Sequence, residues 1–119
     1  SPVVQSASIA AWNDEAHVLD NRNQYREKFA ACTPLIGEVL GTRMPDASFY
    51  LWAKTPVTDT EFARGLLEHY NVVVLPGSFL AREVKDINPG ANFVRIALVA
   101  SAAECLDAAS RIRRFAQQL

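Results

Sequence analysis

The strongest strand signal in the sequence is the run Phe93-Val94-Arg95-Ile96-Ala97-Leu98-Val99, and an arginine stands inside it. Aromatic and β-branched residues at this density favour a sheet. A guanidinium among them costs free energy unless it meets an anion or faces water. The fold must therefore give Arg95 an anionic partner or an open surface. Arg95 is permanently charged, and its planar fork of donors matches a carboxylate bidentately. Three readings follow: Arg95 grips the carboxylate of a ligand, it pairs with one of the chain's own acids, or it faces solvent from an edge strand.

The segments around that run define an α/β pattern. Ser1-Pro2 can open a helix, and Ala7 to Ala11 favours one. A longer helical stretch is expected from about His17 to Leu40, with Val18, Tyr25, Phe29, Cys32, Ile36 and Val39 on its buried face and Arg22, Arg26, Glu27, Lys28 and Glu38 mostly on the others. Pro34 should kink or restart it, with Thr33 as a cap, and Gly41 is placed to end it. Ser48-Phe49-Tyr50-Leu51-Trp52-Ala53 is apolar on both faces, as in a central strand of a covered sheet. Thr58-Asp59-Thr60-Glu61 is a capping box opening a helix whose stripe is Phe62, Leu66 and Tyr70 with Ala63 and Leu67, and Asn71 closes it. Val72-Val73-Val74-Leu75 reads as a short buried strand ended by Pro76-Gly77-Ser78. Phe79 to Asn92 is irregular, with a turn at Asn88-Pro89-Gly90. A second capping box, Ser101-Ala102-Ala103-Glu104, opens a last helix with Cys105, Ala109, Ile112, Ala116 and Leu119 inward. The expected architecture is an α/β (α+β) sandwich: a small, mostly antiparallel or mixed sheet of about three strands covered by helices.

At 119 residues this is one domain, 1–119, small for a complete cofactor enzyme. The formal net charge is −1, and no basic stripe offers a phosphate backbone a footprint, which speaks against nucleic acid. No apolar run approaches the roughly 20 residues of a membrane span. No signal peptide is visible. The chain opens without Met inside a helical pattern, which reads as an excised or processed piece. Cys32 and Cys105 have neither metal-ligand nor CxxC spacing, so two buried thiols are the default and a disulfide the alternative.

Catalytic machinery is missing. There is no GxGxxG, no P-loop and no serine-nucleophile motif. His17 and His69 are isolated, and no metal site is expected. Lys28, Lys54 and Lys85 sit on a charged helix face, at a strand end and in a polar loop, and none reads as a buried Schiff-base lysine. Trp12 and Trp52 read as core or interface aromatics. One ligand-gripping arginine without catalytic groups is what half of an active site would look like.

The ordered set Phe49-Tyr50-Leu51-Trp52, a capped helix, Val72-Val73-Val74-Leu75-Pro76-Gly77-Ser78-Phe79 and Phe93-Val94-Arg95-Ile96-Ala97-Leu98 resembles the C-terminal small domain of fold-type I, class I/II aminotransferases, which use pyridoxal phosphate. The resemblance covers nearly the whole chain. It implies a helix leaving the large domain over 1–20, a long inter-domain helix over 17–41 and an α/β core over 48–119. It also implies that Arg95 binds the substrate α-carboxylate and that Gly77, Ser78 and Phe79 border the entrance. Many relatives carry a glycine soon after that aromatic, where this chain has Leu80-Ala81. Within the family, Leu75 to Arg82 and Asn88 to Arg95 most resemble the N-succinyl-diaminopimelate aminotransferases of lysine and diaminopimelate biosynthesis.

The resemblance further implies a cytoplasmic homodimeric parent acting on an amino acid and a keto acid, with the large domain of the same polypeptide as the chain's partner. The cofactor lysine, the ring partners and the phosphate cradle belong to that large domain. No catalytic residue, no metal and no bound cofactor are expected here, and the chain alone should be inactive. The alternative from another class is a stand-alone module that senses an amino acid through Arg95.

Overall fold

The computed structural model describes residues 1–119. Two helices come first: α1 (Pro2–Asn13) and α2 (Glu15–Leu40). Asp14 separates them and caps α2, its carboxylate accepting from the amides of Ala16 (3.1 Å) and His17 (3.4 Å). Then follow β1 (Tyr50–Lys54), α3 (Asp59–Tyr70), β2 (Leu75–Pro76), a single 3₁₀ turn over Gly77–Phe79, β3 (Phe93–Ala97) and α4 (Ala102–Ala116). The expected order of elements and the three-stranded antiparallel α/β architecture are both present.

The sheet order is β1-β3-β2, with β3 central and antiparallel to both neighbours. Side chains alternate across a strand, so the pairing sorts residues into two layers. Leu51 and Ala53 of β1, Pro76 of β2, and Val94 and Ile96 of β3 face inward and are buried. Against them pack Phe29, Cys32, Ile36 and Leu40 of α2, Phe62 and Leu66 of α3, and Cys105, Ala109, Ile112 and Phe115 of α4. Helices cover this face alone. Tyr50, Trp52, Phe93, Arg95 and Leu75 lie on the other face, which no helix covers.

Several expectations are corrected. β1 lies at a sheet edge, because β3, the later strand, takes the centre by pairing on both sides. Its aromatic outer residues stay partly open because no helix covers that face, Trp52 being 37% exposed. The strand expected at Val72–Leu75 shrinks to Leu75–Pro76, and Val73 points to solvent. Pro34 does not break α2. The carbonyl that loses a donor belongs to Ala30, which like Pro34 is exposed, so water can replace the missing amide. Thr33 is buried within the continuous helix instead of capping a new one. Leu67 and Leu119 are exposed, while Phe115 fills the core between Phe62 and Tyr70, at ring-centroid distances of 5.2 and 5.7 Å. Lys28 is not on a solvated face: it is buried, its ammonium 5.0 Å from the centre of the Tyr25 ring.

Gly41 and Asn71 end α2 and α3 in the left-handed conformation (φ 65° and 52°), as their positions suggested. Both capping residues act. Thr58 Oγ1 accepts from the Glu61 amide, and Ser101 and Glu104 form the complete reciprocal box. In the irregular segment, Val84 and Ile87 exchange backbone hydrogen bonds across Lys85 and Asp86, both with positive φ.

The turn after β2 crosses the loop before β3 with almost no gap. A Cβ built on Gly90 would stand 2.1 Å from the Gly77 carbonyl oxygen, and one on Gly77 2.4 Å from that of Gly90. These are backbone atoms, so no rotamer change relieves the clash. Gly90→Ala is expected to lower unfolding free energy by about 2–3 kcal/mol, measured by denaturant titration; a change under about 0.5 kcal/mol would show that the crossing is not tight.

Candidate functional site

The open face of the sheet carries a cation among aromatic rings. Trp52, Arg95 and Leu75 are direct cross-strand neighbours on it. Phe93, two residues before Arg95, stacks on Trp52 with centroids 5.7 Å apart and planes inclined by 12°. The Trp52 ring reaches over Gly77, where a Cβ would stand 2.8 Å from its tip. At the other end of the face the Arg95 guanidinium carbon lies 5.8 Å from the Tyr50 ring centre. Aromatic walls thus flank the cation, and half-burial strengthens its electrostatics relative to open water.

None of the thirteen acidic side chains forms an ion pair with Arg95; the ion pairs present are Arg111–Asp107 and Arg113–Glu38, and Asp14 meets the His17 ring at 3.0 Å. Nor does Arg95 face water from an edge, since β3 is the central strand. Its Nε is buried and has no hydrogen-bond partner. A buried donor left unmade costs about 1–3 kcal/mol, and more when charged. Pairing with an acid of this chain and display from an edge strand are therefore both absent, and the half-buried guanidinium opens onto the uncovered face of the sheet.

Gly77 lies beneath Trp52 on this face. The Ser78 amide points away, donating to Asp59 Oδ2 at 2.8 Å, while the Ser78 carbonyl accepts from Asn88 Nδ2 at 3.0 Å. Phe79 is 71% exposed and lines a shallow apolar groove of about 270 Å³ with Ala63, Leu67 and Val73, alongside α3. Leu80 and Ala81, with Pro89 and Gly90, are the residues that share a cleft with Trp52.

Sequence reasoning had read Asp59 only as part of a capping box. The residue is 4% exposed. Besides the Ser78 amide it receives that of Asn92, at 3.4 Å from Oδ1. Burial opposes its charge, but hydrogen bonding from Ser78 and the amides of Asn92 and Asp59 outweighs burial, and the carboxyl is held below the usual carboxylate range. A group with a depressed folded-state pKa contributes stability above its unfolded value, near ~3.9, and loses that contribution as pH falls through the folded value. Asp59→Asn should therefore cost about 2 kcal/mol at neutral pH, with the difference from wild type shrinking below about pH 4. Unfolding curves at pH 7 and pH 3 check this; a difference independent of pH would contradict it.

The buried groups elsewhere do not add chemistry. Burial, with Cys105 as neighbour, pushes the Cys32 thiol up to about 11, and Cys105 is raised chiefly by burial. Both are free, protonated thiols. Lys28 lies on α2, which packs on the opposite side of the sheet from Arg95; Lys54 and Lys85 are exposed. No lysine of this chain is set to hold an aldehyde cofactor beside Arg95, and no glycine-rich cradle for a phosphate is present.

A family model, "Aminotransferase class I and II", matches residues 1–112. The chain belongs to the class I and II aminotransferases. A solved aminotransferase structure from Neisseria meningitidis Z2491 is 53% identical, with a TM-score of 0.88, over 92% of this chain and 28% of that one. A structure described as "probable N-succinyldiaminopimelate aminotransferase", from Thermus thermophilus, is 38% identical, with a TM-score of 0.63, over 77% of this chain and 24% of that one. The LL-diaminopimelate aminotransferase of Nitratidesulfovibrio vulgaris (strain DP4) is 34% identical over 115 residues, 93% of this chain and 28% of that protein. The chain thus spans about a quarter of the length of these relatives. Aminotransferases of this family generally depend on pyridoxal phosphate and are typically homodimeric. The residues described above do not fit that cofactor. No helix is long and apolar enough to cross a membrane.

Proposed function

We propose that this chain is the small domain of a cytoplasmic pyridoxal-phosphate aminotransferase and that Arg95 binds the α-carboxylate of its substrate. The observation that carries the reading is the Arg95 guanidinium: it stands on the open sheet face between aromatic walls, with a buried, unpartnered Nε and no acid of its own chain. A carboxylate supplies what is missing there, since a bidentate pair satisfies two donors in one plane. The chain's share of catalysis is orientation. Fixing the carboxylate fixes the Cα substituents, and closing the aromatic face over the substrate excludes water. The cofactor and the groups that hold it are assigned to the large domain of the same polypeptide, and the parent is a homodimer.

Helix α1 supports that division. It buries none of its residues, and Val3, Val4, Ile9 and Trp12 are all exposed. The radius of gyration is 17.2 Å, against about 13.5 Å for a globular domain of this length. An apolar helix standing off the core suits a segment that packs on another domain.

For the substrate, the reading favoured is transfer of an amino group between glutamate and a succinylated diaminopimelate keto-acid precursor. The 38% identity to the Thermus thermophilus protein supports it, and the Nitratidesulfovibrio vulgaris relative brings diaminopimelate chemistry nearby.

In the full-length enzyme, Arg95→Ala or Arg95→Lys should lower kcat/KM by about 10²–10⁴-fold, with KM raised and the cofactor still bound. Steady-state kinetics with glutamate, alongside the cofactor absorbance, check this; unchanged kinetics would refute the assignment. The isolated chain should neither transaminate nor bind glutamate measurably by calorimetry, whereas an amino-acid sensor would bind it.

A further inference from the structure

We infer that Asp59 is a positioning residue for substrate binding: it ties the turn beneath Trp52 and the start of the Arg95 strand to one carboxylate, and so holds both walls of the site in register. The inference rests on the assignment of Arg95 proposed above.

The geometry converges on one side chain. Asp59 is the first residue of α3, just beyond β1. One oxygen accepts from Ser78, in the 3₁₀ turn that follows β2; the other accepts from Asn92, one residue before β3 begins. The bonds cross 19 and 33 residues of chain, so a single carboxylate ties the start of α3 to the turn after β2 and to the approach to β3. Asn92 has φ 63°, a left-handed conformation that costs a non-glycine residue energy unless its surroundings hold it. Both of its backbone groups are held, the N–H by Asp59 and the carbonyl by the Thr55 amide at 2.8 Å.

Asn92 lies three residues before Arg95. Because strand side chains alternate, a one-residue slip at Asn92 would turn Arg95 toward the buried face and Val94 outward. The Ser78 bond acts on the second wall. It fixes the turn whose Gly77 lies against the Trp52 ring, and Trp52 pairs with Arg95 across the strands. Asn88 braces the same turn from the other side, donating to the Ser78 carbonyl while its own side-chain oxygen accepts from the Gly90 amide at 2.9 Å. Asp59 is buried, and its carboxylate is engaged by these backbone groups. Helix capping needs no such reach, and Thr58 already performs it.

The test uses the full-length enzyme, with glutamate as substrate and glutarate, the same carbon skeleton without the amino group, as a non-reacting ligand. Asp59→Asn keeps size and shape but loses the charge and presents an N–H₂ to one of the two amides. Asn88→Ala loosens the same turn without touching the buried carboxylate, and it carries the test if Asp59→Asn fails to fold. Arg95→Ala is the reference. Both positioning variants should raise KM for glutamate and Kd for glutarate roughly 5- to 20-fold, with kcat per folded molecule within about twofold of wild type. A purely structural role would lower the folded fraction or Tm and leave KM and Kd alone, which would overturn the inference. Should Arg95→Ala weaken glutarate binding while neither positioning variant does, the inference fails and the Arg95 assignment stands. If Arg95→Ala leaves glutarate binding unchanged, the assignment fails and the inference with it.

Discussion

The antiparallel register of β3 between β1 and β2 is the constraint on which the rest depends. It places Val94 and Ile96 against the helices, and by the same alternation it places Arg95 on the face the helices leave bare. Core stability and the display of the cation are therefore one property. Inward packing of two apolar side chains fixes the strand, and the strand fixes the arginine.

The exposed face is unfinished in a specific way. No acid of this chain pairs with Arg95, and several are engaged elsewhere. Asp107 and Glu38 pair with α4 arginines, Glu61 and Glu104 serve helix caps, and Asp59 accepts from loop amides. Together with the bare apolar helix α1, this describes one side of an interface more than a finished binding pocket. A chain spanning about a quarter of its relatives' length fits that description.

What was legible in the sequence was mainly local. The capping residues at Thr58, Ser101, Gly41 and Asn71 act within one helical turn of themselves, so their patterns read directly. Arg95 was legible because a charge inside an apolar β run needs an explanation wherever the strand lies. The misses were tertiary. That β1 is an edge strand depends on which strand pairs twice, which local pattern does not state. Phe115 was passed over for Leu119 because the last turn of α4 alone does not say where the neighbouring rings of Phe62 and Tyr70 lie. Lys28 looked solvated because its burial comes from the elements packed against α2, which the local pattern does not state. Asp59 showed its cap position but not its partners, which come from loops 19 and 33 residues away.

The central claim is that Arg95 awaits a carboxylate that is neither its own chain's nor a structural acid of the parent. A crystal structure of the full-length protein with glutarate bound tests it most directly. The account predicts two near-parallel N–H···O hydrogen bonds of about 2.7–2.9 Å between the Arg95 guanidinium and one glutarate carboxylate, with Tyr50 and Trp52 flanking it. An Arg95 paired instead with an aspartate or glutamate of the large domain, with glutarate elsewhere or absent, would contradict it.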